Sequence, residues 1–117
     1  MTLDDFDIFF TSMIERERAL LTQKGQEYSG KEDRHANFKR LAKQLNLTPE
    51  IILWVYLTKH LDGILSYIRG EYTGSEPIIG RIHDARNYLA LLAGMIDHEQ
   101  SKEQTKAGEE EAKEVTP

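Results

Sequence analysis

Apolar residues recur at steps of three and four along most of this chain. Leu3, Phe6, Phe9, Phe10, Met13, Ile14, Leu20 and Leu21 form one stripe, which predicts a first amphipathic helix. Gly25 is its expected end, with Lys24 in the last turn at the negative end of the helix dipole. Residues 25–33 then read as a loop, and a short helix follows from about Arg34 to Leu45 with Phe38, Leu41, Ala42 and Leu45 inward. Thr48-Pro49-Glu50 is a strong helix start: threonine caps, proline fits the first turn, and an acid there suits the dipole. The helix it opens, 49–69, is the most apolar, with Ile51, Ile52, Trp54, Val55, Leu57, Leu61, Ile64, Leu65 and Ile68. The run Ile51–Leu57 has the composition of a buried strand, but the cap before it and its continuation to Arg69 favour helix. Gly70 and Gly74 bound a turn, and Ser75-Glu76-Pro77 opens a last helix to about His98, with Ile78, Ile82, Ala85, Leu89, Leu92 and Ile96 on its main stripe. The expected fold is an all-α bundle of four helices, one of them short.

Residues 99–117 break the pattern. They hold six Glu, three Lys, no aromatic residue and one β-branched apolar one, Val115, so a solvated, disordered acidic tail is expected after a single domain at 1–98. Removing the tail's charge changes the overall picture: the chain is −5, but residues 1–98 carry 14 acids and 12 bases and are nearly neutral. That balance argues against a nucleic-acid binder working through bulk charge. The absence of cysteine excludes disulfides, iron–sulfur clusters and cysteine zinc sites, and fits a cytoplasmic protein. No run reaches the roughly 18–20 apolar residues a spanning helix needs, and the acidic start, Met1 to Asp5, is unlike a secretory signal.

Two polar clusters stand out because they interrupt the two most apolar helices. Thr58-Lys59-His60-Leu61-Asp62 lies on the third helix; Arg81-Ile82-His83-Asp84, continuing to Asn87-Tyr88, lies on the fourth. Lys59 and Asp62 share a helix face by spacing, as do Arg81 and Asp84, and Asp84 and Asn87. A short connection makes these helices antiparallel neighbours, so their middles lie opposite each other, where bundles often build ligand sites. Taken singly, each pair also reads as a surface ion pair worth a few tenths of a kcal/mol. His60 and His83 lack the spacing of a helical zinc site, and no serine sits in a nucleophile elbow. Paired carboxylates for acid–base chemistry would have to be Asp62 and Asp84.

The second region of interest follows the first helix. Tyr28 is an aromatic in a glycine-flanked segment, and Arg34, Asn37 and Phe38 combine a bidentate anion binder, an amide and a stacking ring.

In order, Lys24-Gly25-Gln26-Glu27-Tyr28-Ser29, Arg34 with Asn37-Phe38, Lys59-His60, and Asp84-x-x-Asn87-Tyr88 resemble the small MazG-like proteins of phages and prophages, of the nucleotide-modification-associated type. The resemblance spans roughly residues 15–98. It implies a helical unit that assembles as a dimer or larger oligomer, with a nucleotide site between helices. Active MazG-type enzymes hold magnesium with Glu-x-x-Glu on one helix and Glu-x-x-Asp on the next. Here Lys59-x-x-Asp62 and Arg81-x-x-Asp84 would occupy those places, so each leading acid has become a base. Such a set suits phosphate better than magnesium, which demands oxygen ligands in near-octahedral geometry.

The resemblance therefore implies a protein that binds a phosphorylated nucleotide with weak or no hydrolysis, in a phage setting sequestering a nucleotide such as a host-defence messenger. Its expected ligand contacts are Tyr28, Arg34, Asn37, Phe38, Lys59, His60, Asp62, Arg81, Asp84, Asn87 and Tyr88. One alternative is a Mg2+-dependent nucleotide pyrophosphohydrolase with acids from Glu27, Glu32, Asp33 or Glu76. A second is a structural or adaptor bundle whose polar clusters are only ion pairs.

Overall fold

The computed structural model describes residues 1–29 and 33–115, with side chains outside 24–29 and 113–115. It is all-α: α1 spans Leu3–Ser29, α2 Ala36–Leu45, α3 Pro49–Ile68 and α4 Ile78–Val115. None of these helices is long and apolar enough to cross a membrane.

Local chemistry sets the boundaries. At the start of α1, Asp5 N–H donates to Thr2 Oγ1 (3.0 Å) while Thr2 N–H donates to Asp5 Oδ2 (3.2 Å), a reciprocal cap. Thr48 caps α3 as its sequence predicts, accepting from Ile51 N–H at 3.3 Å with Pro49 in the first turn. α3 ends where Gly70 takes φ 74°, so that Glu71 N–H reaches Ser66 O at 2.9 Å. α2 closes the same way on Asn46 (φ 56°), with Leu47 N–H donating to Ala42 O at 2.9 Å.

α3 and α4 are the antiparallel pair at the centre, in a register that repeats turn by turn. A Cβ built on Gly63 would meet Arg81, His60 meets Asp84, and Tyr56 stacks on Tyr88. α2 packs across one end of this pair. The core is Phe38 and Ala42 from α2, Ile52 and Leu53 from α3, and Leu91 and Met95 from α4, with Leu21, Leu41, Tyr88 and Leu92 packed against it. α1 is fixed by a polar clasp. Glu17, buried, accepts from His83 Nδ1 (2.8 Å) and from Arg86 Nε (2.7 Å), joining α1 to α4.

The structure corrects four sequence expectations. α1 does not stop at Gly25; its backbone stays helical to Ser29, because one glycine costs a helix only about 1 kcal/mol and Gln and Glu follow it. The acidic segment is not a break either: α4 continues to Val115. Its Ala, Glu, Lys and Gln residues are strong helix formers, and Glu99/Lys102 and Glu103/Lys106 have the spacing of supporting pairs. Residues 96–112 of α4 are all exposed. The stripe of α1 faces outward along its first half, with Phe6, Phe9, Phe10 and Ile14 exposed. On α4 the inward residues are His83, Ala85, Asn87, Leu91 and Met95, whereas Leu89 and Ile96 are exposed.

Candidate functional site

One turn below the core, the four helices leave a cavity of about 230 Å³. Leu21 closes it from α1. Arg34 enters from the turn before α2, Asn37 and Phe38 from α2, His60 from α3, and Asp84, Asn87, Tyr88 and Leu91 from α4. The fold positions each of these for a local reason. Arg34 sits in a turn organised by Asp33, whose carboxylate accepts from His35 N–H (3.0 Å) and Lys39 Nζ (2.7 Å). His35 Nε2–H then donates to Leu91 O at 3.1 Å, pinning that turn to α4. Asp84, Asn87, Tyr88 and Leu91 follow at steps of three, one and three, so they line one face of α4.

Aromatic rings form one wall. Tyr88 stacks on His60 (centroids 5.5 Å, 28° between planes) and on Tyr56 (6.2 Å, 6°), and meets Phe38 edge-on at 6.3 Å. One polar atom of the site stands out. His60 Nδ1 is buried without a hydrogen-bond partner and lies 3.9 Å from Asp84 Oδ2, beyond bonding distance. Burial pushes the His60 imidazole below its ordinary pKa, against the pull of Asp84, so the ring is neutral at pH 7. Asn87 is 8% exposed, and its amide makes no hydrogen bond among the described residues. Arg34 is half-buried with no ion pair among the described residues; burial lowers its pKa, against the effect of Tyr88, without discharging it.

Of the residues expected from sequence, Arg34, Asn37, Phe38, His60, Asp84, Asn87 and Tyr88 converge on this cavity. Lys59, Asp62 and Arg81 do not line it. Leu53, Leu57 and His60 mark the inward face of α3, and Lys59 and Asp62 are rotated off it into solvent. Arg81 lies on the right face but one turn too far along α4. There its Nε donates to Tyr72 OH (3.3 Å) and lies 4.0 Å from Glu76 Oε2. The Tyr28 side chain lies outside the described residues. Leu21 and Leu91 were not expected, since apolar residues carry no chemical signal of a site.

The donors do not suit magnesium. The cavity offers one carboxylate, Asp84, and among the described residues no three His, Asp or Glu side chains gather to hold a metal ion. Asp33 is occupied with Lys39, Glu76 lies outside the cavity, and Glu27 and Glu32 lie outside the described side chains.

A second hollow of about 410 Å³ runs between α1 and α4, lined by Ile14, Leu21, Leu89 and Ala90 beside the Glu17 clasp. No family model, no curated protein and no solved structure matches this chain.

Proposed function

We propose that the protein binds a phosphorylated nucleotide in the inter-helix cavity, without the metal-dependent hydrolysis of active MazG-type enzymes. The observation that carries this reading is the company of Arg34, a half-buried cation with no ion pair among the described residues, beside an aromatic wall and the buried Asn87 amide. A guanidinium is a bidentate phosphate partner, rings stack on bases, and an amide reads a base edge. The resemblance to MazG-like proteins adds weight. Its short motifs lie far apart in the chain, yet Arg34, Asn37-Phe38, His60 and Asp84-x-x-Asn87-Tyr88 all contribute to one cavity.

The same reading includes assembly with a second copy of the chain. Phe6, Ile8 and Phe9 on α1 and Trp54, Val55 and Ile68 on α3 are exposed, apolar helix surface that a second copy would cover. The radius of gyration, 18.9 Å, exceeds the roughly 13 Å of a compact chain of this length.

Thermal unfolding in the presence of nucleotides tests the binding. A ligand at about 100 times its Kd stabilises a fold by about 2.7 kcal/mol, a shift of several degrees here. Assaying pyrophosphate release with nucleoside triphosphates and magnesium separates binding from turnover; none is expected.

A further inference from the structure

The cavity's size and its few charges say which part of a nucleotide it takes. At about 230 Å³ it is smaller than the roughly 300–1,000 Å³ of sites that enclose a whole drug-sized ligand, so it holds part of a nucleotide and leaves the rest outside. Among the described residues its lining carries one cation, Arg34, and one carboxylate, Asp84. Its walls are flat rings: Phe38, Tyr88 and His60.

The hydrogen-bonding groups are uneven. A carboxylate such as that of Asp84 is an acceptor only and has sites for about four hydrogens over its two oxygens, so one protein donor does not exhaust it. Asn87, one turn along the same face of α4, offers an amide that both donates and accepts. Acidic side chains accept from the exocyclic amine of cytosine, and Asn pairs with adenine through its amine and adjacent ring nitrogen. A base with a carbonyl in place of that amine would set two acceptors against each other at Asp84.

We infer that the cavity selects a nucleobase bearing an exocyclic amino group, read by Asp84 and Asn87 and stacked on Tyr88, while Arg34 meets the first phosphate at the rim. This rests on the nucleotide reading above and adds the base class to it. The neutral His60 ring serves as part of the stacking wall.

Calorimetric titration of the full chain with CMP and UMP, AMP and IMP, and ATP and CTP tests it. In whichever monophosphate pair binds more tightly, the amino base should bind at least about tenfold better than its oxo counterpart. Adding two phosphates should change affinity less than exchanging the amine for a carbonyl. In Asn87→Ala, checked for folding by circular dichroism, the preference should shrink. UMP or IMP binding as tightly as CMP or AMP would overturn the base assignment and leave the nucleotide reading standing. Binding of none of the six, nor of GMP, at millimolar concentration would overturn both.

Discussion

His60 and Asp84 face each other across the α3–α4 interface with Nδ1 and Oδ2 3.9 Å apart, too far for a hydrogen bond, and the histidine nitrogen is buried without another partner. Desolvation outweighs the carboxylate, so the folded-state pKa of His60 lies below its unfolded value near 6.5. A histidine of this kind binds protons more readily in the unfolded chain. Its contribution to stability is therefore complete above pH 6.5 and declines as the pH falls from there toward the folded pKa. Urea unfolding at pH 7.5 and 5.5 should show a loss of stability that is smaller in His60→Gln; an equal loss in both proteins would contradict this.

The clasp of α1 acts in a different pH window. Burial opposes the charged form of Glu17, but hydrogen bonds from His83 and Arg86 outweigh it and hold the carboxyl below its ordinary range. Its contribution is present above about pH 4.5 and is lost as the pH falls through the folded pKa. Because the carboxylate is buried and bonded twice, Glu17→Ala should cost about 2–4 kcal/mol in urea unfolding at pH 7. A change under 0.5 kcal/mol would mean that α1 is not held by this contact.

Element types were readable where either signal was present: α2 carries a 3.6-residue apolar period, and α3 opens on an explicit terminus, Thr48-Pro49. Where neither was present, the reading failed. Gly25 looked like a stop because glycine is a poor helix former, and residues 99–115 looked unstructured because they lack an apolar face, though their intrinsic helix propensity is high. The site was half legible for a similar reason. Spacing shows that Lys59 and Asp62 share a face and that Arg81 and Asp84 do. It does not show which face turns inward, and on α3 that is the face of Leu53, Leu57 and His60.

The proposed assembly would cover the outward stripe of α1. Sedimentation at micromolar concentration should show a dimer or larger species, a multiple of 13.5 kDa. Phe9→Glu, placed on that exposed stripe, should shift the distribution toward monomer. A wild-type protein sedimenting only as monomer would remove the proposed partner.

Beyond Met95, α4 buries nothing among the described residues. Deleting residues 99–117 should lower total helical ellipticity by the share of that segment while leaving the melting temperature unchanged. A fall of more than about 5 °C, on the order of 1 kcal/mol for a domain of this size, would show that the segment docks.

The central claim is that the inter-helix cavity binds a nucleotide through Arg34 rather than through Lys59. Titrating the tightest-binding of AMP, CMP, GMP and UMP into wild type, Arg34→Ala and Lys59→Ala tests it most directly. Arg34 lies half-buried on the cavity and Lys59 is exposed away from it. A hydrogen bond to a charged group contributes about 1.5–3 kcal/mol, so Arg34→Ala should lose about tenfold or more in affinity. Lys59→Ala should stay within about twofold of wild type. Full affinity in Arg34→Ala, or the large loss in Lys59→Ala instead, would contradict the assignment of the cavity as the binding site.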